Sequence, residues 1–152
     1  MPSFSWLVPC SALCALGLLA CGDDQAPEDA SALLSRIRSE NYRGWARAPG
    51  YETRRPSDAP HSDAVDIYVN SVVSAALAEG TPRAEWPVGS IIVKDGWDGG
   101  DLELIAVMEK RSDGWFWAEY FDDESKYSGR PSICTGCHES GSDYVLAFAL
   151  PK

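Results

Sequence analysis

Residues 90–121, with the sequence SIIVKDGWDGGDLELIAVMEKRSDGWFWAEYF, decide the fold. β-Branched and aromatic residues alternate with polar ones here, and this pattern is typical of strands. The predicted strands are 90–95, 102–111 and 115–121. A glycine-rich turn at 96–101 and a tight turn at Ser112-Asp113-Gly114 separate them. Strands joined so closely predict an antiparallel meander.

The segments on either side add two strands and two helices. Residues 64–70 alternate as a strand with Val65, Ile67 and Val69 on one face. Asn70 is suited to cap a helix that runs to about Glu79 and closes at Gly80. The other predicted elements are a short amphipathic helix within 31–45, loops at 46–63 and 122–130, and a last strand at 144–148. The predicted fold class is α+β, an antiparallel β-sheet with a few short helices.

Composition and charge narrow the possible functions. A chain of 152 residues and 16.5 kDa is long enough for one domain of ordinary size. With 45% hydrophobic and 24% charged residues, wholesale disorder and a multi-span membrane protein are both excluded. The formal net charge of −10 disfavours binding to nucleic acid, because most of the surface would repel phosphate.

The N-terminal segment indicates export. Residues 6–20 form a mostly apolar run that is too short to span a membrane comfortably and fits a secretory signal, although no Lys or Arg precedes it. Leu18-Leu19-Ala20-Cys21 resembles a bacterial lipobox, which predicts a lipoprotein-type signal peptide at 1–20 and a lipid on Cys21. A tether at 21–30 and a domain at 31–152 would follow. A simple cleaved signal is the alternative. Both readings place the protein on the periplasmic or cell-envelope side, with membrane contact only through the lipid anchor.

Of the five cysteines, Cys10 and Cys14 lie in the predicted signal peptide and Cys21 directly follows it. The other two form a haem-attachment motif. Cys134-Thr135-Gly136-Cys137-His138 has the C-x-x-C-H pattern, in which two thiols add to the haem vinyl groups and the histidine ligates the iron. A redox dithiol would be expected after a strand in a β-α-β pattern, which this sequence lacks. A four-ligand zinc site lacks a second C-x-x-C motif. The sequence therefore predicts one covalent haem c on Cys134 and Cys137, with His138 as the axial iron ligand.

The position of the motif along the chain is unusual for a small c-type cytochrome. It stands near the C-terminal end, and no methionine follows it to serve as a second axial ligand. Two residues earlier in the chain could complete a six-coordinate, electron-transfer haem. Met108 is on a strand, where core packing is the simpler role. His61 is in a loop, where exposure to solvent is the usual outcome.

Five sequence blocks, in order and spacing, resemble the cytochrome P-460 family, whose close relative is cytochrome c-prime-beta. The blocks are IYVN at 67–70, WPVGSIIVKD at 86–95, GWFWA at 114–118, CTGCH at 134–138 and SDYV at 142–145. The resemblance covers roughly residues 60–148. It implies an antiparallel sheet with helices, a homodimer, and five-coordinate iron with His138 as proximal ligand. It also implies an open distal position for a small nitrogen-containing ligand.

The resemblance also assigns a role to Lys94. In cytochrome P-460 a lysine of this block is bonded to the porphyrin edge, and such a haem oxidises hydroxylamine to nitrogen oxides. Without the bond, the resemblance to cytochrome c-prime-beta implies a nitric-oxide-binding protein. The resemblance identifies no redox partner protein. Hydroxylamine oxidation needs a proton acceptor near the iron, and the sequence leaves five acids open: Glu103, Glu119, Asp122, Asp123 and Glu124.

A basic segment stands out in this acidic chain. Six arginines against two glutamates give residues 36–55 a local charge of +4. Three roles fit the pattern: docking an acidic redox partner, pairing with haem propionates, or balancing acids of the same domain.

Overall fold

The computed structural model describes residues 25–152. The predicted signal peptide, the lipidation site Cys21 and the first part of the tether lie outside the described residues. Among the helices of residues 25–152, none is long and apolar enough to cross a membrane.

The described chain forms one antiparallel sheet with three short helices. In chain order the elements are α1 (Pro27–Ser39), a 3-10 turn (Tyr42–Gly44), β1 (Ala46–Arg47), β2 (Arg55–Pro56), β3 (Ala64–Val69), α2 (Ser71–Glu79), β4 (Ile91–Asp98), β5 (Asp101–Arg111), β6 (Gly114–Phe121), β7 (Glu124–Gly129) and α3 (Ser132–His138). The sheet order is β1-β3-β4-β5-β6-β7, and β2 also pairs with β3. The predicted α+β class and the meander at its centre are confirmed.

Side-chain alternation gives the sheet two buried faces. The α1 face packs against helix α1, where Leu33 and Ile37 meet Val93 and Val107 of the central strands. The opposite face carries Val65, Ile67 and Val69 of β3, as predicted, together with Trp86 and the packed side of α2. The second face also carries the C-x-x-C-H motif, whose Cys134 packs against it.

Helix α2 begins and ends where the sequence predicts. The Asn70 side chain accepts a hydrogen bond from the backbone N–H of Val73, and Gly80 closes the helix in the left-handed conformation at φ 61°. The Asn70 oxygen also accepts from Ile91 N–H, and its amide donates to the Gly89 carbonyl. One side chain therefore joins β3, α2 and the start of β4.

The N-terminal helix differs from its prediction. It starts at Pro27 and ends at Ser39, so residues 27–30 are helical and do not belong to a tether. The physical reason is that Ala30 is fully buried and extends the apolar stripe of Leu33, Leu34 and Ile37 by one turn. Proline at the first helical position suits this start.

Strand β4 is longer than predicted. It continues through Gly96 to Asp98, so the predicted glycine-rich turn at 96–101 shrinks to Gly99-Gly100. The register shifts between Gly96 and Trp97, as expected of a glycine that interrupts a strand pattern. The predicted loop at 46–63 also contains the short strands β1 and β2.

Two predictions at the C-terminal end are wrong. The predicted polar loop at 122–130 contains β7, an edge strand whose outer residues face water and so lack an apolar alternation. Its entry turn places both Asp122 and Asp123 at positive φ, which is the geometry of a tight hairpin turn. The predicted strand at 144–148 is absent from this region. A single bridge between Ser142 and Val145 closes a turn in its place.

Candidate functional site

A cavity of about 230 Å³ lies on the second sheet face, between the central strands and α3. Its floor consists of side chains from two rows across β4, β5 and β6. The rows are Ile92, Met108 and Trp117, and Lys94, Ala106 and Glu119. Ala106 stands between Lys94 and Glu119 and, being small, leaves space above the sheet. Four side chains of α3 cover the other side: Ile133, Cys134, Cys137 and His138.

Helix α3 presents the C-x-x-C-H motif to this cavity. The helix follows Pro131, whose carbonyl accepts hydrogen bonds from the N–H groups of Cys134 and Thr135. The two cysteines form no disulfide. Because residues three apart share one side of a helix, both thiols and His138 line the same cavity.

The ring of His138 is oriented by a hydrogen bond to the backbone of a following turn. Its Nδ1 lies 2.8 Å from the carbonyl oxygen of Tyr144, which can only accept a hydrogen bond, so Nδ1 carries the proton and Nε2 has a free lone pair. Burial lowers the pKa of His138. The hydrogen bond to Tyr144 acts against that shift, while the nearby Lys94 and His61 add to it. A neutral imidazole with one nitrogen oriented by a carbonyl is the usual form of a metal ligand.

The turn that carries the Tyr144 carbonyl is itself anchored. Asp143 and Tyr144 have φ of 48° and 65°, and Ser142 pairs with Val145 across the turn. The Asp143 carboxylate accepts hydrogen bonds from Lys110 Nζ, at 3.0 and 2.8 Å, and from the N–H of Trp86, at 2.8 Å. Since Lys110 is only 7% exposed, this ion pair is buried. The position of the His138 acceptor is therefore fixed from the core.

Lys94 projects from β4 into the cavity, where it faces Ala106 across the strand pair. Burial lowers the pKa of Lys94, while Glu119 and Cys137 act against that shift. A lower pKa increases the fraction of neutral amine, which is the nucleophilic form.

Only one of the five predicted acids lines the cavity. Glu119 stands in the same row as Lys94, whereas the other four acids lie outside the cavity. Asp123 forms a surface ion pair with Arg38. Glu103 accepts a hydrogen bond from Ser62 Oγ at 2.5 Å. Of the five predicted acids, the structure thus leaves Glu119 as the candidate proton acceptor in the cavity.

His61 also lines the cavity. This position differs from the solvent exposure that is usual for a histidine in a loop. Its ring centroid lies 6.4 Å from that of His138, and its Nδ1 lies 3.6 Å from Oε1 of Glu119. The loop approaches the sheet at Gly96, where an added Cβ would lie 2.9 Å from the His61 carbonyl oxygen. A glycine inside a strand pattern can mark a close approach of another backbone segment. Gly96 was therefore the feature of the sequence that could have indicated the approach of this loop. Met108 lines the cavity too, on β5.

The basic segment pairs with acids of the same domain. The pairs are Arg36–Glu109, Arg38–Asp123, Arg43–Asp95, Arg47–Asp66 and Arg54–Asp66. Asp66 and Asp95 are buried beneath them. Since none of these five arginines lines the cavity, their positions fit the third of the predicted roles, internal charge balance.

The donor set of the cavity fits a covalently attached haem. Two cysteines and a histidine face one mainly apolar cavity, which suits a macrocycle bound by its edge and its iron. The indole Nε1 of Trp117 is buried there without a hydrogen-bond partner among residues 25–152, so a polar group of a bound ligand can satisfy it.

The geometry agrees with a comparison to known proteins. A family model described as Cytochrome P460 matches residues 39–147, which is more than half of the 152-residue chain. A comparison with curated proteins finds no match. The matched range contains β1 through α3 and therefore every element that lines the cavity.

Proposed function

Because the chain belongs to the cytochrome P460 family and is thereby a haem-binding cytochrome, we propose that it oxidises hydroxylamine to nitrogen oxides on one covalent haem c. Cys134 and Cys137 would carry the thioether bonds, and His138 would ligate the iron. The haem, when bound, supplies an iron that takes up the nitrogen atom and passes electrons onward. The remaining steps belong to side chains of the chain itself.

Proton transfer is the first task of those side chains. Oxidising hydroxylamine to nitric oxide releases three electrons and three protons, so three equivalents of a one-electron acceptor must take up the electrons. Glu119 is the cavity acid and lies beside Lys94 and His61. It can accept a proton from a bound nitrogen ligand and pass it toward the cavity mouth.

Lys94 supplies the observation that carries the proposal. Its largely buried amine, with a lowered pKa, lies in the same cavity as the C-x-x-C-H motif. A bond from Nζ to the porphyrin edge replaces one N–H and one C–H bond and releases two electrons. An oxidant of the peroxide or dioxygen class must therefore take part in forming it. Such a bond would modify the macrocycle as the family resemblance implies.

The proposal is tested on the purified, haem-loaded protein. We expect a haem peptide that contains Lys94 as well as Cys134 and Cys137 by mass spectrometry, a Soret band strongly shifted to the red in the ferrous form, and consumption of hydroxylamine with a dye acceptor. Lys94→Arg keeps a positive charge and should lose the bond, the red shift and the turnover. A haem bonded only to the two cysteines in the wild type would overturn the cross-link.

The apolar lining favours a second function. Ile92, Met108 and Trp117 surround the space beside His138 with little polar surface, which suits a neutral diatomic gas. If the spectrum is that of ordinary high-spin haem c and nitric oxide binds without hydroxylamine turnover, the protein is a nitric-oxide-binding cytochrome.

Export and assembly form a separate part of the proposal. The apolar run before Cys21 supports an exported protein anchored by lipid, and the family resemblance supports a homodimer. Intact mass of the mature chain from a membrane fraction should show an acylated Cys21 as first residue. Sedimentation of the lipid-free domain should give twice the monomer mass.

A further inference from the structure

We propose that Trp117 helps to select the ligand of the haem iron, because its indole N–H donates a hydrogen bond to the small molecule bound at the open position. The inference rests on the proposed function, since it assumes a haem held by Cys134, Cys137 and His138 and hydroxylamine as its ligand. It adds a specificity-determining residue to the same cavity.

Trp117 lies in the cavity wall that faces the open position of the iron. The sheet forms one wall of the cavity, and α3 forms the other. Because His138 belongs to α3, a haem bound between these walls has its open coordination position toward the sheet. Trp117 lines the sheet wall from β6, in the row of Ile92 and Met108.

The indole nitrogen of Trp117 is a buried donor without an acceptor. In the described part of the chain, three indole nitrogens are buried and have no hydrogen-bond partner, those of Trp97, Trp115 and Trp117. Of these three residues, Trp117 alone lines the cavity. Buried polar groups in folded proteins are nearly always hydrogen-bonded, so an unpaired donor beside a ligand cavity indicates an acceptor on the ligand. Since an indole can only donate, the ligand must supply a lone pair.

The ring of Trp117 is held in place by its neighbours. The residue is 6% exposed, and its ring packs edge-to-face against Tyr144 with the centroids 5.7 Å apart. Its strand partners are Met108 on β5 and Gly129 on β7, and Gly129 adds no side chain beside the ring. A donor that is fixed in this way needs no ordering when the ligand binds, which strengthens its contribution.

Trp117 and Glu119 together define what the ligand must offer. They are two residues apart on β6, so their side chains project from the same face about 7 Å apart, and both line the cavity. The Glu119 carboxylate accepts hydrogen bonds, whereas the Trp117 indole donates one. Hydroxylamine carries N–H and O–H donors as well as lone pairs, but carbon monoxide and nitric oxide carry acceptors only. The pair therefore favours hydroxylamine over a diatomic gas.

Trp115 provides the matched control. Its indole nitrogen is also buried and unpaired within residues 25–152, and it lies two residues before Trp117 on the same face of β6. It does not line the cavity. Trp117→Phe and Trp115→Phe thus remove the same N–H group from the same strand and keep an aromatic ring, but only Trp117→Phe removes a donor from the cavity.

The first experiment uses carbon monoxide as a probe of the open position. Infrared spectra of the ferrous, haem-loaded wild type, Trp117→Phe, Trp117→Leu and Trp115→Phe give the C–O stretching frequency. We expect a lower frequency in the wild type and Trp115→Phe than in both Trp117 variants, because a hydrogen bond to the bound molecule weakens its C–O bond. Trp117→Leu makes the result independent of how a phenyl ring packs against Tyr144.

The second experiment measures hydroxylamine binding in the absence of an electron acceptor. Absorption titrations of the ferric, haem-loaded proteins give the dissociation constants. Trp117→Phe should bind hydroxylamine about two- to tenfold more weakly than the wild type, which is the range expected for the loss of one hydrogen bond. Trp115→Phe should bind hydroxylamine as the wild type does.

Three results would overturn the inference. They are a C–O frequency that is the same in the wild type and both Trp117 variants, a shift in Trp115→Phe as large as that in Trp117→Phe, and an unchanged hydroxylamine affinity in Trp117→Phe. The proposed function is judged separately. A wild type that shows the expected differences but transfers no electrons from hydroxylamine to a dye would retain the Trp117 assignment and lose the proposed function.

Discussion

Lys110 is a buried cation whose partner, Asp143, lies in the turn that holds His138. Its Nζ binds Asp143, and both side chains are less than one tenth exposed. Replacing Lys110 by Met would leave a buried carboxylate without its partner, at a cost of about 3–5 kcal/mol in the free energy of unfolding. The loosened turn should also weaken the hydrogen bond from His138 to Tyr144 and raise the midpoint potential of the haem. Urea unfolding and a redox titration measure the two effects.

A double variant shows how much of the stability loss in Lys110→Met comes from the unpaired charge and how much from altered packing. Lys110→Met with Asp143→Asn removes both charges and should recover part of the lost stability. Arg130→Met breaks the exposed Arg130–Asp113 pair and serves as control, with an expected loss of about 0–1 kcal/mol. A Lys110→Met loss as small as that of the control would refute the anchoring role.

Asp66 predicts how stability depends on acid. Burial alone would raise its pKa, but hydrogen bonds from Arg47 and Arg54 outweigh burial, so the pKa of Asp66 lies below its usual range. The stabilisation is complete above the unfolded pKa of about 3.9 and is lost as the pH falls through the folded value. Asp66→Asn should cost about 2 kcal/mol at neutral pH. The gap between the urea midpoints of wild type and variant should narrow as the pH falls below about 3.9, whereas a constant gap would contradict the assignment.

At the scale of elements, α3 differs from α1 and α2 because none of its residues is buried. The proposed haem would supply packing that this helix lacks. In a haem-free Cys134→Ser/Cys137→Ser variant we expect α3 amides to exchange with an opening free energy of about zero, while β4, β5 and β6 stay protected. Haem loading of the wild type should protect α3. Equal protection of α3 in both forms would show that the helix docks by itself.

The sequence predicts an element best when some of its residues mark where it begins and ends and others mark the face that is buried. Strand β3 and helix α2 meet that condition, since Val65, Ile67 and Val69 alternate and Asn70 and Gly80 mark the helix. Strand β7 does not, because an edge strand can be polar on its outer side. For the site, the C-x-x-C-H spacing predicts the ligands by chemistry alone. The approach of His61 depends on pairing between distant strands, which a local pattern does not contain.

For the whole molecule, charge distribution predicts electron-transfer behaviour. The chain has a net charge of −10, and five of the six arginines of the basic segment pair with acids of the same domain. A cationic acceptor such as hexaammineruthenium should react at least about tenfold faster at low than at high ionic strength. Ferricyanide, an anion, should show the opposite trend in stopped-flow measurements. A fall in both rates with added salt would indicate a local positive docking surface.

The order of the cavity walls along the chain has a consequence for biosynthesis. His61 and strands β4, β5 and β6 all precede α3, so every wall residue they supply is made before Cys134 and Cys137. Domains fold as units while their C-terminal segments follow. The sheet can therefore shape the pocket first, and the proposed haem attachment becomes a late maturation step whose timing is separate from that of sheet folding.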